Sequence, residues 1–450
     1  MFFSSLRGVK LPYVFRVLRH RNYRLFFFGQ GVSLIGTWMQ SLAMSWLVFR
    51  LTGDAFKLGL VGFAGQIPSL LIAPMSGVFA DRWNRRRLLL ATQTCSLIQA
   101  AALATLVLGG FIREAHDAWY LVGMSMALGV INSVDIPVRQ SFVVEMVGSR
   151  EDLAGAIPLN SMLMNVTRFL GPSLAGFVVV WWGEGLCFLL NSASYLAVIA
   201  ALLAMRLAPR ERRAGARNFR RELREGVAYA WRTPHIRLVL SFLATLSLVG
   251  TPYMVLMPAF AKDVFRGDAR TQGFLLGSVG AGAICGTLFL ASRKSTLGLG
   301  RIMAAGSAIF GTALVAFSFC GAAWDRIAPL IYGHPASELP PNLVLWLAAP
   351  ILAAIGFGQV GQLVAGNTLL QTTVEEDKRG RVMSLHTMAF LGITPFGSLL
   401  AGTVARHIGP TSTVLAGGVL CLVGAIVFSS RLSTLRSAGA GEKIDSGSFS

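Results

Sequence analysis

Two apolar runs with a charged stretch between them constrain this chain more than any other feature. Leu58 to Ala80 and Leu88 to Phe111 contain no Asp, Glu, Lys or Arg, whereas Asp81, Arg82, Arg85, Arg86 and Arg87 crowd the gap between them. A charged side chain at the middle of a membrane helix costs about 2.5–3.5 kcal/mol, and such a helix needs about 20 apolar residues. The pattern reads as two membrane helices joined by a tight polar hairpin, Gly77 to Arg87. Apolar windows recur twelve times, near 25–49, 58–80, 88–111, 118–145, 153–182, 185–207, 236–261, 271–292, 299–321, 343–374, 380–405 and 410–431. The hydrophobic share of 54% and mean hydropathy of +0.61 agree with a chain that lives mostly in lipid. Short alternating segments of the barrel type are absent from the sequence, so the expected fold is an all-α membrane protein with 12 transmembrane helices.

The formal net charge of +19 invites a nucleic-acid reading. Sorting the 40 Lys and Arg by side removes it. The even-numbered loops and the two termini hold 30, the opposite loops hold 8, and Arg139 and Arg168 lie inside helices. This asymmetry orients both termini toward the cytoplasm and places the basic side against anionic lipid headgroups. Membrane lipids are therefore expected partners and nucleic acid is not.

One long polar interruption divides the chain. Residues 208–235 are rich in arginine, and Leu223, Val227 and Trp231 recur at helical spacing, which predicts an amphipathic helix on the membrane surface. The expected organisation is an N-terminal six-helix bundle over 1–207 with a basic segment 1–24, a linker over 208–235, a C-terminal six-helix bundle over 236–432 and a disordered tail over 433–450. The bundles echo each other. Gly53-Asp54-Ala55 recurs as Gly267-Asp268-Ala269, Gly171-Pro-Ser-Leu-Ala-Gly176 as Gly397-Ser-Leu-Leu-Ala-Gly402, and Gln140 with Glu145 as Gln371 with Glu375. The charged hairpin does not recur intact: Ser292-Arg293-Lys294 keeps its basic character and loses Asp-Arg.

Ionisable residues inside membrane helices are costly and mark function by default. Asn132, Asp135 and Arg139 fall on one face of the fourth window, and Arg168 sits one turn before Gly171 in the fifth. Two readings stand side by side. Asp135 and Arg139 either neutralise each other inside the bundle, or Asp135 carries a coupling proton while Arg168 recognises an acidic or oxygen-rich small molecule. Gln40, Gln359, Gln362 and Asn367 are further candidates for the lining of a substrate cavity. No cofactor and no metal is expected. The six histidines form no metal-spaced pair, the five cysteines have no paired spacing, and the phosphate-loop pattern of ATP-driven pumps is missing. An enzyme is not expected.

The Gly77–Arg87 stretch, in a chain of this length, resembles the loop between helices 2 and 3 of the major facilitator superfamily. Further phrases resemble its enterobactin-exporter and macrolide-efflux group, the transmembrane secretion effectors. They are Arg21-Asn-Tyr-Arg24-Leu, Gly36-Thr-Trp38-Met-Gln40, Asp81-Arg-Trp-Asn-Arg85, Asp135-Ile-Pro-Val-Arg139-Gln140 and Asn191-Ser-Ala-Ser-Tyr195. The resemblance implies two six-helix halves related by an axis along the membrane normal. It also implies a charge latch of Asp81, Arg82, Arg85 and Arg86 that holds the halves together on the inner side. Glu145 is the candidate partner of Arg85 or Arg86, and Gly77 would allow close helix approach. Gly171, Pro172 and Gly176 resemble the antiporter motif of proton-coupled exporters. The expected function is a monomeric, proton-coupled exporter of a siderophore-like metabolite or drug. A lipid carrier of the same fold and a non-transporting scaffold are the alternatives.

Overall fold

The computed structural model describes residues 13–147, 150–206, 219–293, 298–332, 334 and 342–432, without the side chains of 13–15, 73–82, 150–154, 158, 219–223, 342 and 377. Twelve helices in it are long and apolar enough to cross a membrane. The first six are α1 (Arg21–Thr52), α2 (Ala55–Arg82), α3 (Arg85–Leu108), α4 (Ala118–Met146), α5 (Arg150–Trp182) and α6 (Glu184–Ala204). A surface helix, α7 (Phe219–Arg232), follows. The seventh span is broken into α8 (Pro234–Val249), a 3-10 turn (Thr251–Leu256), α9 (Met257–Ala259) and a π turn (Phe260–Val264). The rest are α10 (Ala269–Ala291), α11 (Leu299–Tyr332), α12 (Asn342–Thr373), an eleventh span made of α13 (Glu376–Thr387), a π turn (Met388–Gly392) and α14 (Thr394–Ile408), and α15 (Pro410–Ser430).

Local chemistry sets these boundaries. Asp54 and Asp268, the repeated pair in the two halves, each start a helix by accepting backbone hydrogen bonds. Asp54 Oδ1 takes the Phe56 N–H at 2.9 Å, and Asp268 Oδ1 takes those of Arg270 and Thr271 at 2.9 and 3.2 Å. The span at the window near 236–261 is present but is not one regular helix. Pro252 and Pro258 each remove a backbone donor and wedge a ring against the preceding turn, so the span proceeds through 3-10 and π turns. Pro395 does the same beside the π turn of the eleventh span. The hairpin between α2 and α3 is also tighter than expected. Helix α2 continues through Arg82, leaving Trp83 and Asn84 as the connection, and Asn84 Oδ1 accepts the Arg87 N–H at 3.1 Å to start α3.

In the N-terminal half, α1 packs on α5 and α6, α2 on α4, and α3 on α4 and α6; in the C-terminal half, α10 and α11 pack on α12, and α11 on α15. Two helix pairs join the halves: α2 with α14, and α5 with α10. We call the end that holds the start of α1, the α2–α3 hairpin and α7 the basic face, and the opposite end the far face.

Candidate functional site

The join between the halves is closed at the far face. Each of the two helix pairs crosses there on a pair of glycines. A Cβ on Gly402 of α14 would lie 2.7 Å from both Ala55 O and Gly59 Cα of α2. A Cβ on Gly176 of α5 would lie 2.7 Å from Ala269 O of α10, and one on Gly273 would lie 2.6 Å from Pro172 O and 3.3 Å from Gly176 Cα. Gly59 and Gly273 are 214 residues apart, and Gly176 and Gly402 are 226 apart, the same offsets as the Gly53/Gly267 and Gly171/Gly397 echoes. The crossings are thus one contact made twice, once by each repeat. Gln272 Nε2 donates to Ser45 Oγ at 2.9 Å across the same seam, and Arg406 of α14 lies 3.8 Å from Asp54. The seam runs inward as far as Leu70 against Gly392 and Asn165 Nδ2 donating to Thr287 Oγ1 at 3.0 Å. Counting from Gly176 to Asn165 at 1.5 Å per residue, that stretch is about 16 Å long.

At the basic face, the ion pairs given among the described residues do not bridge the two six-helix halves. Arg85 Nη1 donates to Glu145 Oε1 at 2.8 Å, with both side chains mostly enclosed (15% and 21% exposed), and to Ser141 O at 3.3 Å. Arg86, one residue later on α3, points about 100° away and donates to Leu203 O at the end of α6. The charged hairpin thus ties α3 to α4 and α6 in the N-terminal half. The side chains of Gly77, Asp81 and Arg82 lie outside the described residues. In the other half, Arg381 of α13 pairs with Glu225 of α7 at 3.2 Å, and Lys378 pairs with Glu375 and lies over the Tyr229 ring.

Several residues expected in the cavity sit elsewhere, and packing explains why. Gln40 is buried between α3 and α6: its Nε2 donates to Gln99 Oε1 at 3.1 Å, and its Oε1 accepts from Asn191 Nδ2 at 2.8 Å. Gln362 is buried between α11 and α12, where its Oε1 accepts from Ser307 Oγ at 2.5 Å. Gln40 satisfies both ends of its amide, and Gln362 its carbonyl, inside one half, as buried polar groups tend to. Asp135 is also turned into the bundle. Its Oδ1 accepts from Thr92 Oγ1 and Gln93 Nε2, both at 2.7 Å, and its Oδ2 lies 3.5 Å from Arg139 Nε. Asn132 is half-buried a turn earlier, and Asn367 is half-buried, where it accepts from Gln371.

The centre of the join holds a different set. Arg168 of α5 forms no ion pair or hydrogen bond among the described residues, and its Nε is sealed from solvent without a partner. Its guanidinium lies 5.3 Å from the Trp38 ring centroid of α1. Gly171, one turn on, makes this stacking geometry accessible: a Cβ there would collide with Trp38 Cβ and come 3.0 Å from Ile35 O. Across the join, Tyr253 sits in the 3-10 break of the seventh span, 3% exposed, with its hydroxyl also sealed and unpartnered. Gln359 of α12 is buried with Oε1 unpartnered, and His386 of α13 has Nε2 in the same condition. Tyr253 was not singled out in the sequence; its ring packs edge-on against Phe310 of α11, 5.9 Å between centroids. Pro252 and Pro258 in that span were the available hint.

Comparison with known proteins accounts for this architecture. The family model described as transmembrane secretion effector matches residues 14–336. The chain is 24% identical over 417 residues to the staphyloferrin A transporter of Staphylococcus aureus (strain NCTC 8325 / PS 47), covering 92% of this chain and 97% of that protein. It is 25% identical over 421 residues to the multidrug efflux pump Tap of Mycolicibacterium fortuitum, covering 90% and 93%. Among solved structures, a bacterial homologue of the iron transporter ferroportin in its inward-facing state superposes with a TM-score of 0.65 at 18% identity, covering 91% of this chain and 99% of that one. The fold is that of the major facilitators, the protein is a transporter and not an enzyme, and it is a multi-pass protein of the bacterial cytoplasmic membrane. The chain belongs to the transmembrane secretion effector family of major facilitator transporters.

Proposed function

We propose that this protein is a proton-coupled exporter that works by alternating access, with its basic face toward the cytoplasm and this conformation open to that side. The repeated glycine crossings carry the reading. They seal the far face with backbone against backbone, a contact that is lost as a unit when the two rigid halves rock apart. Substrate would enter from the cytoplasm between the halves, meet Arg168 and Trp38, and leave when the far face opens. In that second state the basic face closes, and Asp81, Arg82, Arg85, Arg86 and Glu145 form the latch against the inner end of the eleventh span. A single chain supplies both halves, so the working unit is a monomer.

Export is supported by the Gly171-Pro172 motif and by the efflux activity named for the Mycolicibacterium relative. The cargo is a bulky metabolite of the siderophore type, as for the Staphylococcus relative, or a drug. Asp135 is the proton carrier of this scheme: it is the carboxylate within the spans that pairs with a cation on its own helix, and protonation would free Arg139. Comparing the compounds released by a deletion strain and its parent tests the function. A metabolite retained inside the deletion strain and released on complementation is the expected result; identical release from both strains refutes export.

A further inference from the structure

The surface helix α7 closes a basic groove that transport does not explain. On α7, Gly226 and Ala230 are buried, Glu225 and Tyr229 are half-buried, and Val227, Trp231 and Arg232 are exposed. At about 100° per residue the helix has three faces: Gly226 and Ala230 inward, Val227 and Trp231 outward, and Glu225, Tyr229 and Arg232 between them. Gly226 lets α13 come close, since a Cβ there would lie 3.2 Å from Arg381 Cβ. Beside that contact lies a cavity of about 310 Å³, lined by Glu225, Tyr229 and Arg232 of α7 and by Lys378 and Arg381 of α13. Two of its cations are held by carboxylates, Arg381 by Glu225 at 3.2 Å and Lys378 by Glu375, and Lys378 also lies 4.7 Å from the Tyr229 ring centroid. Arg232 pairs with no carboxylate among the described residues, so the groove keeps an excess of positive charge. Its place matters. Helix α7 ends at Arg232, and the seventh span begins two residues later at Pro234. Arg237 of that span donates to Trp231 O at 3.3 Å, with its guanidinium 5.7 Å from the Trp231 ring centroid. A tryptophan and arginines at the end of a span mark the level of the lipid headgroups.

We infer that the groove between α7 and α13 binds the headgroup of an anionic phospholipid from the leaflet at the basic face, with Arg232, Lys378 and Arg381 around its phosphate. Guanidinium groups offer forked N–H donors that match phosphate oxygens. The carboxylates select among phosphates. A phosphodiester carries a single negative charge and fits the small positive excess, whereas a free phosphate brings more negative charge against Glu225. Glu225 can also accept a hydrogen bond from a hydroxyl-bearing headgroup such as glycerol. The outward face of α7 supplies the second half of the argument for a lipid. Val227 and Trp231 are exposed there as an apolar strip that seats the helix in the headgroup and acyl boundary, which sets the groove beside the acyl chains. This differs from the diffuse attraction that every basic residue of this face feels, because it is one cavity with named donors. A bound headgroup joins α7, in the segment between the two halves, to α13, the inner end of the eleventh span. The inference is independent of which molecule is carried and of how transport is coupled.

The test titrates the full-length protein in neutral detergent with phosphatidylglycerol and with phosphatidylcholine of the same acyl chains, and reads bound lipid by native mass spectrometry. Phosphatidylglycerol should bind more tightly than phosphatidylcholine. Arg232→Gln should weaken it by about 5-fold, the factor that one basic residue near a membrane surface contributes, and Arg232→Gln combined with Lys378→Gln by more. Arg301→Gln is the control: Arg301 is exposed at the start of α11, outside the groove, and its loss removes the same charge. Phosphatidylglycerol affinity should be unchanged in it. Arg232 is exposed, so the variant keeps its fold and the comparison stays informative. Inorganic phosphate and glycerol 3-phosphate test a soluble occupant, and neither should displace the lipid at concentrations comparable to it. Three results overturn the inference. Equal affinity for the two lipids denies headgroup recognition, and an equal loss in Arg301→Gln leaves only diffuse charge. Displacement by either soluble phosphate makes the groove a site for a soluble ligand. No readout involves transport, so a failed lipid site and a failed exporter reading are told apart.

Discussion

Replacing Gly402 by alanine should unseat the far-face seal. The added Cβ would stand 2.7 Å from Ala55 O and from Gly59 Cα, whereas ordinary contact begins at 3.4 Å, so α14 must retreat by roughly 0.7 Å. The obstructing atoms are backbone and cannot rotate away. Retreat also loosens the neighbouring contact, in which a Cβ on Gly59 would lie 2.6 Å from Ser398 O. Overpacking of this kind costs about 1–3 kcal/mol. The cost falls only on the conformation in which the far face is closed, so the balance should shift toward the open one by about 5- to 150-fold. Spin labels at Arg113 and Arg326, exposed on opposite halves, report the opening by pulsed electron spin resonance in a cysteine-free background. The long-distance population should grow in Gly402→Ala, and again in Gly176→Ala, which meets Ala269 O at 2.7 Å on the second seam. Gly123→Ala is the control, because a Cβ there meets nothing within 4 Å. An unchanged distance distribution in both seam variants would refute the claim that these crossings form the gate.

The other predictions follow from the same contacts. Glu145→Gln breaks the mostly enclosed pair with Arg85 and should lower thermal stability in detergent by about 1–3 kcal/mol; a stability equal to wild type would make the pair ornamental. Asp135→Asn keeps the shape of the side chain that Thr92 and Gln93 hold, so the protein should insert normally and lose its response to a pH gradient. An intact gradient response would reduce Asp135 to a packing role beside Arg139. Gln40→Leu leaves Gln99 and Asn191 without their shared partner, and should cost about 1–3 kcal/mol of stability while leaving affinity for transported compounds unchanged. A selective loss of affinity would return Gln40 to the cavity.

The membrane spans were legible in the sequence because bilayer thickness writes itself as runs of about 20 apolar residues, and Leu58–Ala80 and Leu88–Phe111 can do nothing else. The duplication was legible too, since Asp54 and Asp268 start equivalent helices and the paired offsets of 214 and 226 residues return in the glycine crossings. The direction of a polar side chain within a span was not. Gln40, Gln362 and Asp135 lie on helices that pack against several neighbours, and a single sequence does not say which neighbour offers the partner. Arg168 stood out as a charge, but its lack of a counter-ion is a property of the packed neighbours. Tyr253 was hidden for a further reason: the 3-10 turn Thr251–Leu256 that carries it interrupts the helical periodicity of the seventh span.

Coupling is the central claim, and flux against an imposed pH gradient tests it most directly. Full-length protein is reconstituted into proteoliposomes, and accumulation of 2,3-dihydroxybenzoate, citrate and tetraphenylphosphonium is followed with the gradient present and after nigericin collapses it. The account predicts that at least one probe accumulates against its own gradient, that protons move in the opposite direction, and that both signals vanish with nigericin and in Asp135→Asn. Accumulation that persists after the gradient is collapsed, or no movement of any probe, would contradict it.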